Sequence, residues 1–461
     1  MSFYYPQAVM VLKVKWEDFG ATISEELSRF VVVAKRVRVS INDYTKADEF
    51  DAEIDYKNFP FDPRAIRAVQ VTIHIEDKKK VFLQNNQLNR IVPSEENTVF
   101  TGFVDEESIT LDEQDRVVRF EGRDQTSLLI DATYSGKALD LTKSVDQVIQ
   151  SLVDELPATK GKLTVENRAG SLPSLASVAP DYEELSRTRS SKKKEKYWDV
   201  IQDVAQRAAL IAYVELDTLV ITKPRVLYGD SQPIRFIYGN NLENLTFKRK
   251  IGRQRGVNIK VQSFNPEKKE VLTAKIPEES TNEWANALGV AQAPVTIDKL
   301  DKNGEPVDPP EEAPYFTFNV PDIASKDQLI EIGQSLYEEI GRQQIEGTFT
   351  TKEMCILDVI NNVERRSDLV KVRNGTPVAI SVEGTDLEKI QRDVPKGDRK
   401  AYLERKCFKP EVAAAFAEVI GKFANRFYTR EVTFTVDQTQ GFQMELGFVN
   451  FIETTNKSLG G

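Results

Sequence analysis

Apolar residues alternate with polar ones through most of the first 135 residues, and this period of two restricts what the chain can fold into more than any other feature. Successive side chains of an extended strand point to opposite faces, so such runs build a sheet with one dry and one wet face, not an amphipathic helix. Val37, Val39 and Ile41 share one face, with Arg36, Arg38 and Ser40 on the other. Phe50, Ala52, Ile54 and Tyr56 repeat the pattern, and Val69, Val71, Ile73 and Ile75 stand opposite Gln70, Thr72, His74 and Glu76. The pattern predicts an antiparallel sheet wetted on one side. From Val99 to Asp124 short apolar strands are separated by acidic turns, as in a small barrel or sandwich, with Gly102 and Gly122 as positions for a bulge or a close backbone approach.

At Ser144 the period changes. Val145, Val148, Ile149, Leu152, Val153 and Leu156 fall on one helical face behind a Ser144/Gln147 capping box, and Pro157 ends the helix. Residues 170–196 lose periodicity and gather Ser, Pro, Arg and Lys, which predicts a solvated loop. A helix over about 197–210 and a hairpin of 212–215 against 219–222 about Leu216, Asp217 and Thr218 follow. Strand character returns at Ile234, with 257–261 and 271–276 expected in the same second β region, and 283–314 reads as a surface excursion too rich in Pro and acids to pack. A helix over about 325–341, strands at 346–351 and 376–382, a helix from Pro410, and a hairpin of 428–436 with 442–452 complete the chain. At about 150 residues per domain, 461 residues predict three: 1–135, 136–228 and 229–460.

Charge and composition exclude several roles. Sixty-two basic against 72 acidic residues give a net charge of -10, which opposes non-specific attachment to nucleic acid but suits an acidic channel past which DNA slides. No apolar run nears the roughly 20 residues of a membrane helix. Met1 to Lys15 lacks the basic start, apolar middle and small-residue cleavage site of a secretory leader, so synthesis in a cytoplasm is expected. Two cysteines, Cys355 and Cys407, read as buried free thiols.

Catalytic constellations are sparse. The single histidine, His74, lies within an alternating strand, so no zinc spacing and no Ser/His or Cys/His pair beyond His74 itself can be assembled. GRQRG at 252–256 lacks the Gly-Lys-Ser/Thr ending of a phosphate loop. The calcium-like stretch around Asp301, Asn303 and Gly304 fails at its first and twelfth ligand positions, Lys299 and Pro310. Glu106/Glu107 and Asp112/Glu113 read as surface acids instead of a glycosidase pair. The remaining candidate is a basic turn, Lys248, Arg249, Lys250, Arg253 and Arg255, positioned to meet an acidic partner. No catalytic residue, metal or cofactor is assigned.

Four stretches carry a family likeness: FTGFVDEESITLDEQDRVVRFEGRDQTSLLIDA at 100–132; SVDQVIQSLVDEL with YWDVIQDVAQRAALIAYVELDTLVITKP; IYGNNLENLTFKRKIGRQRGVNIKV; and LVKVRNGTPVAISVEG with the closing hairpin ending in GFVNFI. In their order they resemble the baseplate hub proteins of contractile phage tails and related injection systems, also known as late control or tail-hub proteins. The resemblance implies an α+β, β-rich chain of two tube-like antiparallel β-barrel domains with a helix-hairpin insert and additional helices. It implies a non-enzymatic homotrimer in the virion tail baseplate, adapting a six-fold tail tube to a three-fold spike. The partners implied are the tail tube or tube-initiator protein, the spike protein and baseplate wedge proteins, with DNA or effector only as passing cargo and no membrane. A different tail structural or receptor-binding protein, expected to bind cells instead of trimerising, and a cell-wall hydrolase, expected to clear cell wall, are the alternatives.

Overall fold

A computed structural model of the chain describes residues 6–16, 29–42, 44, 46–58, 66–77, 93–112, 116–178, 195–208, 210–223, 233–249, 259–265, 270–276, 316–320, 326–342, 345–360, 363–382, 394–405 and 426–450. Its N-terminal part is β1 (Pro6–Trp16), β2 (Arg29–Val33), β3 (Arg36–Ile41), β4 (Glu49–Asp55), β5 (Ile66–Asp77), β6 (Thr98–Asp112) and β7 (Val117–Asp124). These lie side by side as β3-β4-β7-β6-β5-β1-β2, every pairing antiparallel. The alternation does the sorting: Val37, Val39, Ile41, Phe50, Ala52 and Ile54 are buried, and Arg36 and Arg38 are exposed. Each large apolar side chain so placed contributes on the order of 1.5–3 kcal/mol relative to exposure. Tyr56 departs from the pattern, because the strand ends at Asp55 and a 3-10 turn leaves the ring exposed. β1 is dry on both faces, since Val9 and Val11 are buried as well as Met10 and Leu12.

Gly102 and Gly122 sit where β6 and β7 come closest. A Cβ on Gly122 would stand 2.0 Å from the Phe103 carbonyl oxygen, and one on Gly102 would stand 2.3 Å from that of Arg123. The ladder shifts register between Val104 and Ile109, so the expected bulge and close approach occur together.

The middle of the chain holds α1 (Thr126–Asp131), α2 (Val145–Glu155), β8 (Thr164–Asn167), α3 (Leu175–Val178), α4 (Tyr197–Arg207), β9 (Ile211–Glu215) and β10 (Thr218–Thr222). β10 pairs with β8 in parallel and β9 antiparallel. Val145, Val148, Ile149, Leu152 and Val153 pack with Trp198, Ile201, Val204 and Ala205 in a core that shares no residue with that of the large sheet. The Ser144 amide donates to Gln147 Oε1 at 3.4 Å, the backward half of the expected capping box. The turn is tighter than expected: Thr218 already belongs to β10, and Leu216 takes a positive φ of 59° to close it. Within the expected 170–196 loop, Leu175 is fully buried in α3; residues 179–194 lie outside the described residues.

The rest of the chain supplies β11 (Ile234–Tyr238), β12 (Glu243–Arg249), β13 (Ile259–Asn265), β14 (Glu270–Ile276), β15 (Phe316–Asn319), α5 (Lys326–Arg342), β16 (Ile345–Thr351), β17 (Cys355–Ile360), β18 (Val363–Asp368), β19 (Pro377–Val382), α6 (Arg399–Arg405), β20 (Arg426–Asp437) and β21 (Gly441–Asn450). Six of these strands extend the N-terminal sheet: the order runs β12-β16-β21-β20-β3, and β19 joins β20 on one side and β11 on the other. β13 and β14 do not join them, contrary to expectation. Ile259 and Val261 find Leu329 and Ile332 of α5 instead, and with β15 they form a separate three-stranded sheet with its own small core. β17 and β18 form a further hairpin that the sequence had not suggested. The 283–314 excursion and the helix from Pro410 lie outside the described residues.

β20 settles the architecture. It lies antiparallel to β3, with Val432, Phe434 and Val436 opposite Ile41, Val39 and Val37, and it also pairs with β21 and β19. The N- and C-terminal β regions are thus one sheet of 13 strands around one core, and β1 comes back into contact with β20 and β21.

Candidate functional site

Register separates the two faces of this sheet. Arg36, Arg38 and Ser40 of β3 stand opposite Glu53, Asp51 and Glu49 of β4, and opposite Asp437, Thr435 and Thr433 of β20. The three β4 acids stand in turn opposite Arg119, Glu121 and Arg123 of β7. The non-core face is therefore a lattice of charges, alternating because the strands alternate. Arg119 Nε approaches Glu53 Oε1 at 3.4 Å. Arg123 is the best anchored member: Nη2 donates to Asp105 Oδ1 at 2.9 Å and to Asp131 Oδ2 at 2.8 Å, and these bonds, Asp105 first, hold its guanidinium pKa above the usual value. Each of these pairs keeps at least one partner partly in water, so each contributes on the order of 1 kcal/mol or less. A shallow groove of about 430 Å³ crosses it past Arg38, Glu49, Asp51, Asp105, Glu121 and Arg123.

A second arrangement lies where the three parts of the chain meet. A cavity of about 280 Å³ is bounded by Asn42, Lys46 and Asp48 from the turn between β3 and β4, by Asp124 at the end of β7, by Arg168, Tyr213 and Glu215 from the middle unit, and by Arg373 and Asn374 from the loop before β19. Arg373 is held by main-chain oxygens: Nη1 donates to the carbonyls of Val370 and Val372 at 2.8 Å, and Nη2 to that of Thr98 at 2.9 Å. Burial lowers its pKa, opposed by Glu215 and Asp48. Asn374 Nδ2 donates to the Asn42 carbonyl, and the Gly375 amide donates to Thr429 of β20 at 2.7 Å, so one loop ties β6, the turn after β3, and β20.

Two carboxyls sit beside it. Asp124 accepts the Thr126 amide at 3.1 Å and the Thr126 hydroxyl at 2.8 Å, which starts α1, and its own amide donates to the Asp48 carbonyl at 2.9 Å. Burial pushes Asp124 up to about 7, against the lowering by its Thr126 bonds. Asp48 is raised well above the usual carboxylate range, first by burial and then by Asp124.

Of the basic turn predicted from sequence, Lys248 and Arg249 are the last residues of strand β12 instead of turn residues; exposed Lys248 faces Glu346, and Arg249 is opposite Ile345. Lys250, Arg253 and Arg255 lie outside the described residues, as do GRQRG, the calcium-like stretch and Cys407. Cys355 is buried. His74 is buried in β5, its Nδ1 3.2 Å from the Ser94 carbonyl oxygen and 3.1 Å from Thr98 Oγ1, while Glu76 accepts the Ser94 amide at 2.7 Å and Asn97 Nδ2 at 2.8 Å. Among the described residues no group of His, Cys, Asp and Glu is arranged to hold a metal ion, and no helix is long and apolar enough to cross a membrane. Sequence reasoning missed the joint around Arg373 altogether.

No family model and no curated protein sequence matches the chain. Solved structures do. The tail protein from Neisseria meningitidis MC58 superposes with a TM-score of 0.54 at 12% identity over 96% of each chain. The 43 kDa tail protein of prophage MuSo2 from Shewanella oneidensis does so with a TM-score of 0.51 at 12% identity over 96% of this chain and 98% of that one. At such identity the likeness is one of fold, and it extends over all but a few per cent of both neighbours.

Proposed function

We propose that the chain is the structural hub of a phage-type contractile tail. The carrying observation is the end-to-end correspondence of fold with two phage-type tail proteins, neither of which leaves a domain unmatched. In this reading the role is mechanical and non-enzymatic. Three copies form a ring in which the two β regions of each chain, though continuous in one sheet, act as two tube-like repeats and give six, matching a six-fold tail tube above and a three-fold spike below. The β20–β3 seam supports such a use, since it fuses the two β regions into one stiff body that transmits load without a flexible linker. The domains we assign are 1–135, 136–228 and 229–460, with α1 at the end of the first packing through Leu129 into the core of the second.

The lattice face of β20, β3, β4 and β7 is the surface we assign to the channel. Six acids (Glu49, Asp51, Glu53, Asp105, Glu121, Asp437) against four arginines (Arg36, Arg38, Arg119, Arg123) lean it acidic. A face of that balance lets DNA or effector pass without holding phosphate. Tail tube or tube-initiator protein, spike and wedge proteins are the partners, and the tail baseplate of the virion the location, after synthesis in the host cytoplasm.

Light scattering on the purified chain, alone and with its spike, tests this. A mass near three times 52.2 kDa is expected, alone or on adding spike. A persistent monomer that forms no spike complex overturns the hub and favours a receptor-binding tail protein.

A further inference from the structure

The unit from Thr126 to Thr222 is seated on the large sheet by unusual means. Its apolar core and that of the sheet share no residue. Between them lies the 280 Å³ cavity, whose lining mixes charged and amide side chains with apolar ones such as Val99, Phe100, Val214 and Leu216, and across which the Tyr44 and Tyr213 rings meet at 6.0 Å. Partly polar interfaces of this kind between separately cored units favour relative motion. The covalent link on one side is short, running from β7 straight into α1 through Asp124, Gln125 and Thr126.

We propose that this joint is a proton-set latch: neutral Asp48 and Asp124 keep the 126–222 unit seated, and ionisation of the pair, which shares its cavity with Glu215, frees that unit to turn about residues 124–126. The groups facing the pair are Glu49 on β4, Lys46 on the turn before it, Arg123 on β7, Arg373 on the loop before β19, and Arg168, Tyr213 and Glu215 on the moving unit. Arg168 is already engaged by Glu166 at 2.8 Å and Glu215 at 3.2 Å, Arg373 by three carbonyls and Arg123 by Asp105 and Asp131, which leaves solvent-exposed Lys46 to meet two new negative charges. Burial raises both carboxyls, Asp124 to about 7, and exposure on undocking would return them to the ordinary range. A carboxyl raised in the seated state binds its proton there preferentially, so seating is strongest at acid pH and weakens as pH rises through about 7. For each group that titrates, the seating equilibrium falls about tenfold per pH unit from the ordinary carboxylate range up to that group's seated pKa, and is level above it. This inference is independent of the trimeric assembly.

The test places nitroxide labels at Lys162→Cys in the unit and Thr110→Cys on β6, both exposed, with Cys355 and Cys407 changed to Ser, and measures the spin–spin distance distribution at pH 5.5 and 8.5. One narrow distance at pH 5.5 and a second, broader population at pH 8.5 are expected, with Asp48→Asn/Asp124→Asn narrow at both. Identical distributions at both pH values in the otherwise unchanged chain overturn the latch, and so does a pH response that survives in the double Asn variant. Should the labelled chains not fold, amide exchange over 211–216 in the unaltered protein, corrected for intrinsic rates, decides: protection falling with pH supports the latch, and pH-independent protection refutes it.

Discussion

Replacing Gly122 by alanine adds one methyl group at the most crowded point of the large sheet. The new Cβ would stand 2.0 Å from the Phe103 carbonyl oxygen, 2.9 Å from its carbonyl carbon and 2.7 Å from Phe50 Cε1. An ordinary contact is about 3.5 Å, so the gap must widen by more than 1 Å. The Phe50 ring can tilt, but the carbonyl belongs to β6, whose distance from β7 is fixed by ladder bonds. Overpacking costs typically about 1–3 kcal/mol, and one or two ladder bonds lost around the Val104–Ile109 bulge add about 1 kcal/mol each. We therefore expect Gly122→Ala to destabilise the sheet by about 3–4 kcal/mol, read as a lowered urea midpoint by near-ultraviolet circular dichroism. Gly397→Ala, where nothing lies within 4 Å and φ is not positive, is the control and is expected to change stability by less than about 1 kcal/mol. Equal midpoints for Gly122→Ala and wild type would refute the close approach.

His74 is the chain's one histidine, so its ring carbon gives a single resonance, and burial should move its titration midpoint below 6.5; a midpoint at or above 6.5 contradicts the buried geometry. Because that pKa is lowered on folding, its share of stability is present above 6.5 and is lost as pH falls through that value, a loss that His74→Gln should remove from the urea midpoint between pH 7.5 and 5. Arg373→Met leaves three carbonyls without their donor and should cost about 3–5 kcal/mol, and Arg373→Lys should recover only part of this, because an ammonium lacks the planar fork; equal melting of Arg373→Met and wild type would deny the tie. Arg123→Ala, by contrast, removes only solvated pairs and should shift stability by under about 1 kcal/mol; a larger loss would mean the lattice face is less solvated than its geometry indicates.

Local patterning reached local structure well. Val37, Val39 and Ile41, or Leu329 and Ile332, lie within one element, and their period is a direct consequence of that element's geometry. Partner choice between elements was less accessible: the strands at Ile259 and Val271 alternate as those at Ile234 do, yet join a different sheet, because a two-residue period states that a strand has a dry face and not what covers it. CILDVI with VERRSD pairs its residues without simple alternation and so gave no strand signal. The joint was invisible for a similar reason. Asp48, Asp124, Glu215 and Arg373 come from four separate segments, and each is an ordinary charged residue until the fold buries it.

The pairing of β20 with β3 also orders events in time. Ser40 and Thr433, whose hydroxyls meet at 3.3 Å, are 393 residues apart in the chain. At about 5–20 residues per second on the ribosome, roughly 20–80 s separate their emergence. Through that interval the nascent sheet keeps β3's second edge without its native strand, a template for wrong pairing. Only a chain translated through β20 can close that edge, so products that stop before it stay marked by an open strand and are distinguishable from finished subunits before any assembly begins.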